Sequence, residues 1–295
     1  MPNTKMQKSF KLVESALLVA VAIVLSILPL AEMPYGGSVT IASLFPLVLI
    51  AYRHGILWGI GSGFVYGIIQ QLLGLKNLTY VTGWQSVLAV IFLDYLVAFA
   101  VIGFSGAFRN VFEKQRYALA AGAGLGCLLR YICHVVSGAT VWAGLSIPTQ
   151  AALGYSLIYN ATYMIPETLV LVVVAFYLGS VLDFQGERPV RLSNTTDSVT
   201  GDLPLLLASI LTIGALVYDV ATLFAHLQDS ETGYFSGQGL KLTAVAGQTA
   251  WQTFSQSFWF RMILVTGIAL ISVVILMIVR RINLKKEEGK EKTEE

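Results

Sequence analysis

Arg130, His134, Gly138 and Trp142 stand four residues apart in a run otherwise apolar enough for lipid. Residues four apart drift only slightly around a helix. One face therefore offers a cation, an imidazole, a position without a side chain and an indole. Those are parts for gripping a flat polar molecule inside a membrane. Singly, each has a plainer reading: a packing histidine, a helix crossing at the glycine, an interfacial tryptophan. Together they point to a site, because an ionisable group within a span costs roughly 2.5 to 3.5 kcal/mol on insertion scales and is retained for a reason.

Other polar residues interrupt neighbouring apolar runs. Asp94-Tyr95 lies about ten residues from the outer end of its run, near mid-membrane at ~1.5 Å per residue. Tyr155 and Asn160 fall in the outer half of the sixth run, so an acid, two phenols, an imidazole, an indole and an amide can meet at one level. No basic residue is obviously assigned to Asp94. Glu167 follows Pro166 deeper in that run, where proline removes a hydrogen bond and can bend the axis. Its carboxylate needs a partner, and Arg130 lies at similar depth. A structural ion pair is preferred to direct ligand contact, leaving Arg130 and Glu167 as pocket supports.

The elements that must position these groups are transmembrane helices. Of 295 residues, 56% are hydrophobic and 12% charged, which excludes a soluble domain of this length. Apolar runs near the length needed to cross ~30 Å of hydrocarbon predict helices over 10–30, 39–52, 56–74, 84–108, 118–145, 152–182, 204–225 and 258–280. The first run suits a spanning helix better than a cleavable signal peptide. Eight crossings put both termini on one side, and Lys and Arg concentrate there: Lys5, Lys8, Lys11, Arg53, Arg109, Lys114, Arg116, Arg280 and Arg281 among them. The positive-inside rule makes that side the cytoplasm. Gly55, Gly59, Gly63 and Gly67 recur every fourth residue as a packing face.

After Asp183 the composition turns polar. The expected organisation is a six-helix domain over 1–183, a cytoplasmic linker over 184–203, two further helices over 204–280 enclosing an outer segment at 226–257, and a solvated charged tail over 281–295. Asn77-Leu-Thr and Asn194-Thr-Thr match glycosylation acceptors, a weak pattern. A net charge of +2 argues against nucleic acid as a partner. Cys127 and Cys133, six apart in one apolar helix, suggest neither a disulfide nor a metal site. No phosphate-binding loop or His-Glu-x-x-His helix is present, and Gly-x-Ser-x-Gly sits on no strand-to-helix turn, so neither ATP hydrolysis nor other catalysis has a constellation and no cofactor is called for.

Residues 1 to about 183 resemble ThiT-type thiamine transporters, the substrate-binding S components of energy-coupling factor (ECF) transporters. The resemblance is carried by Glu14-Ser15-Ala16 with Ala20, Tyr35-Gly36-Gly37-Ser38-Val39-Thr40, Leu93-Asp94-Tyr95-Leu96-Val97-Ala98, the Arg130–Trp142 stretch, and Tyr155-Ser156-Leu157 with Asn160. It implies an all-α polytopic membrane protein, with a six-helix S-component core plus two additional transmembrane helices, in a bacterial cell membrane with both termini cytoplasmic. It implies thiamine contacts at Asp94, Tyr95, His134, Gly138, Trp142, Tyr155 and Asn160, with Tyr35 and Gly37 nearby. Ala16 and Ala20 would be the docking strip for a transmembrane coupling protein, which works with two cytoplasmic ATPases. Two positions depart from the family pattern: a glutamate is replaced by Asp94, and a tryptophan near Gly37 is missing. Two alternatives stay open: an S component for another flat heterocyclic vitamin or precursor, and a membrane sensor or enzyme defined by the C-terminal pair of helices.

Overall fold

The computed structural model describes residues 4–32, 37–141, 150–192, 199–227 and 249–294. Tyr35, Trp142 and most of the expected outer segment lie outside the described residues. The chain forms two compact units, Met1–Pro189 and Val190–Glu295.

In the first unit, helix α1 (Thr4–Ser26) leads into an antiparallel hairpin, β1 (Pro29–Glu32) and β2 (Ser38–Thr40), with Glu32 opposite Ser38. Helices α2 (Phe45–His54) and α3 (Ile56–Leu73) follow, then a tight 3-10 segment, Leu75–Tyr80. Helix α4 (Trp84–Phe108) changes pitch along its length: α-helical to Val90, π-helical over Ile91–Val97, and 3-10 from Val101. Helices α5 (Gln115–Thr140) and α6 (Gln150–Val181) complete the unit.

The second expected helix, 39–52, begins only at Phe45. Pro46 explains the start, because the first turn of a helix has no use for the missing N–H. Gly55 ends it at φ 90°, a conformation that favours glycine. Ten residues rise only ~15 Å, so among the described residues seven helices rather than eight are individually long and apolar enough to span. The extended residues Ser38–Thr40 ahead of α2 add ~3.3 Å each, and residues 41–44 turn rather than extend. Phe45 through Tyr52 are all buried, as expected of a helix that is apolar all round. By contrast, α1 exposes Leu12, Val13, Leu17, Val21 and Val24, the face that suits lipid.

The glycine stripe packs backbone against backbone. A Cβ on Gly63 would stand 2.3 Å from the carbonyl oxygen of Phe99, and one on Gly67 would stand 2.7 Å from that of Tyr95. Gly59 meets Ala51 and Gly103, and a Cβ on Gly103 would reach within 2.2 Å of the Ile60 nitrogen. Gly55 has nothing within 4 Å, so its role is the turn. Gly103→Ala is expected to lower stability by about 1–3 kcal/mol through overpacking, read as a lower melting temperature in detergent. Gly61→Ala, where nothing lies within 4 Å, should leave it unchanged or raised.

The second unit contains α7 (Val199–Leu227), a short α8 (Ala250–Gln256) and α9 (Phe258–Glu294). Thr266 donates to the Asp219 carboxylate, and His226 stacks on Phe258 with ring centroids 4.0 Å apart, tying α7 to α9. Thr249 and Gln252 form a capping box at α8. Helix α9 runs to Glu294, so the segment expected as a solvated tail is helical through that residue.

Candidate functional site

Helices α3, α4, α5 and α6, the end of α1 and the β-hairpin enclose a cavity of about 550 Å³ in the first unit. Asp94, Tyr95, Arg130, His134, Gly138, Tyr155, Asn160 and Gly37 all line it. They come from elements far apart in sequence. Glu167 is not on the lining.

Asp94 sits in the π-helical segment of α4 and is 7% exposed. Its two oxygens are held separately: His134 Nδ1 is 2.9 Å from Oδ1, and the Ser137 hydroxyl donates to Oδ2 at 2.7 Å. An ionised carboxylate only accepts, so this contact places the imidazole proton on Nδ1. A neutral ring then presents Nε2 as an acceptor, and that atom is buried without a hydrogen-bond partner among the described residues. The wall thus carries an acid and, beside it, a buried ring nitrogen with no partner among the described residues.

Gly138 lines the cavity and also makes room for a helix contact. A Cβ there would lie 2.3 Å from Ser156 Oγ. Through the same contact Ser156 donates to the Val135 carbonyl at 2.9 Å. Asn160 is largely committed inside the protein: its amide donates to Ser156 O at 2.9 Å and His134 O at 3.3 Å, while its oxygen accepts from the Tyr163 hydroxyl at 2.7 Å. The amide holds α5 against α6 and fixes a tyrosine on the cavity wall. Tyr95 accepts from the Asn77 amide at 3.0 Å.

Arg130 and Glu167 do pair. Arg130 Nη1 donates to Glu167 Oε2 at 2.6 Å, and the Thr40 hydroxyl donates to Oε1 at 3.1 Å. Glu167 is 3% exposed, so this pair ties α5, α6 and the hairpin beneath the cavity. The guanidinium carbon also stands 5.0 Å from the Phe99 ring centre, a cation–π contact.

The lining residues Tyr159 and Tyr163 escaped sequence reasoning, although Tyr155 did not. Tyr155, Tyr159 and Tyr163 form a ladder, the first two rings nearly parallel at 6.0 Å and the next two edge-on at 5.9 Å. Their four-residue spacing was the available signal. Gly37 backs this ladder: a Cβ there would stand 2.7 Å from the Tyr163 ring, so an aromatic side chain at position 37 has no room. Gln70 was also missed. Its amide donates to Ser26 Oγ at 2.7 Å and closes the outer junction of α1 and α3.

The family model described as thiamine transporter protein (Thia_YuaJ) matches residues 12–183. A thiamine transporter ThiT of Bacillus subtilis is 35% identical over 175 residues, covering 56% of this chain and 87% of that protein. A thiamine transporter ThiT of Lacticaseibacillus paracasei is 26% identical over 187 residues, covering 58% of this chain and 87% of the relative. A solved structure of ThiT from Listeria monocytogenes is 25% identical, covering 59% of this chain and 94% of the other, with a TM-score of 0.48.

Proposed function

Because this chain belongs to the thiamine transporter protein (Thia_YuaJ) family, we propose that its first unit captures thiamine in the 550 Å³ cavity as the S component of a vitamin uptake system. The observation that carries this is the Asp94 carboxylate, buried on the cavity wall and held in place by His134 and Ser137. Thiamine has a permanently charged thiazolium, a flat aminopyrimidine and a hydroxyl. Asp94 balances the cation, and the Tyr155–Tyr159–Tyr163 ladder offers ring faces, where a desolvated cation gains ~2 kcal/mol. His134 Nε2 accepts from the exocyclic amine, and neutrality of that ring avoids repulsion of the thiazolium. Tyr35 and Trp142, outside the described residues, complete the set that the family resemblance implies.

Titration of the purified full-length protein with thiamine, followed by calorimetry, tests the assignment. Saturable binding with one site per chain is expected. A chain that ignores thiamine but binds another flat heterocycle would redirect the reading to that ligand.

Delivery needs energy, and the proposed source is a transmembrane coupling protein with two cytoplasmic ATPases. Ala16 and Ala20 are both exposed on α1 between large apolar neighbours, a strip where another helix can approach closely. The density of Lys and Arg at the opposite end from the cavity supports cytoplasmic termini. Ala20→Trp is expected to abolish uptake in cells while thiamine affinity of the isolated protein stays within about twofold. Affinity that falls in step with uptake would make these alanines packing residues instead.

A further inference from the structure

A second cavity, of about 350 Å³, lies at the other end of the first unit. Helix α3 separates the two, starting beside this one and ending beside the first, ~27 Å away at 1.5 Å per residue. The ends of α2 and α4 and the chain after α6 converge here, and Arg53, His54, Arg109, Asn110 and Gln185 face the space. Arg53 is fixed on every side. Its Nε lies 2.7 Å from Glu14 Oε1, and its terminal nitrogens donate to Phe184 O at 2.5 Å and Glu187 O at 3.0 Å. His54 Nε2 takes the other Glu14 oxygen at 2.7 Å, and Lys11 donates to the His54 carbonyl at 3.3 Å.

Both oxygens of Glu14 are thus occupied. Arg53 and Arg109 line the cavity and no carboxylate does; the acids beside it are Glu14, committed to Arg53 and His54, and Asp183, which accepts from the Gln185 N–H at 2.8 Å. Arg109 is exposed, and its side chain has neither an ion pair nor a hydrogen bond among the described residues. A guanidinium with a free planar fork, beside neutral amide donors on Asn110 and Gln185, is shaped for two oxygens of one anion.

We propose that this cavity binds a phosphate-bearing anion, with Arg109 as the clamp and the Glu14-fixed Arg53 as the wall behind it. Its place at the end of the membrane helices is the level of phospholipid headgroups, where basic pockets between helices hold acidic lipids. Glu14 has two functions in this arrangement: it immobilises Arg53 and leaves Arg109 uncompensated. The site is independent of the thiamine assignment, since it shares no lining residue with the larger cavity.

The test uses the full-length protein in detergent, melted with added phosphatidylglycerol, phosphatidylcholine or inorganic phosphate. Wild type, Arg109→Gln and Lys114→Gln are compared; Lys114 is an exposed cation nearby in sequence that does not line the cavity. Binding to the native state raises the melting temperature by mass action. Phosphatidylglycerol is expected to raise that of wild type and Lys114→Gln by several degrees over phosphatidylcholine, and to lose most of this effect in Arg109→Gln. Inorganic phosphate that reproduces the shift would identify a free anion as the ligand of the same site. Unchanged thiamine binding in Arg109→Gln shows the variant is folded. Equal shifts in all three proteins, equal losses in both variants, or no shift with either anion would overturn the proposal.

Discussion

Asp94→Asn should weaken thiamine binding by on the order of 2–5 kcal/mol, thirtyfold or more, because it removes one member of a desolvated charge pair while keeping the side-chain size. The carboxylate is buried and accepts from two donors, so part of any loss will come from disturbing His134 and Ser137 rather than from the missing charge. Two controls separate these. Ser137→Ala removes one neutral donor and leaves the charge, and should cost about 0.5–1.5 kcal/mol. A neutral analogue, with pyridine in place of thiazolium and titrated well above the pKa of that ring, should lose much less than thiamine on Asp94→Asn. Equal losses for the two ligands would reduce Asp94 to a hydrogen-bonding or structural acid. The longer acid in Asp94→Glu tests the departure from the family pattern: tighter binding means a retracted carboxylate in an otherwise unchanged site, and abolished binding means a cavity shaped around aspartate.

The second large effect belongs to the Arg130–Glu167 pair. Glu167→Gln leaves a buried guanidinium without its counter-charge, and breaking such a pair from one side costs about 3–5 kcal/mol. Arg130 Nε already lacks a hydrogen-bond partner among the described residues, so little else there can absorb the charge. A large drop in melting temperature is expected for Glu167→Gln. The double replacement Arg130→Met with Glu167→Leu should recover much of it, since apolar pairs of similar volume often match a buried ion pair. A double variant as unstable as the single one would show that Thr40 and Phe99, rather than the charge balance, depend on this pair. Thiamine titration of the double variant then asks whether Arg130, which lines the cavity, also touches the ligand.

Much of this arrangement was legible in the chain because membrane folds leave few alternatives for polar groups. The Arg130–Glu167 pair followed from two buried charges at one depth, and the packing face of α3 from glycines every fourth residue. What could not be read depended on contacts between distant elements. The His134–Asp94 bond joins residues 40 apart, and nothing local to either says that the imidazole will orient the acid. Gly138 looked like part of the gripping surface, yet its missing side chain also makes room for Ser156, a fact of how α6 crosses α5. Helix α2 was misjudged for a local reason: apolar content set the expected start at 39, while Pro46 marks the first turn.

The π-helical segment of α4 has a further consequence, for how such a protein can change its ligand over evolutionary time. A π turn amounts to one residue inserted into an α-helix, and such turns are frequent at functional sites. Here it lies between Trp84–Val90, on the side of the outer connection, and the stretch containing Phe99 and Gly103, whose backbone is locked against α3. Gain or loss of one residue within Ile91–Val97 would turn the outer part by ~100° while the locked part kept its register. Homologues that differ in length at this point would then present a different side chain in place of Asp94 to the same cavity, so an alignment that closes the gap by sliding residues would compare positions that never face the ligand together.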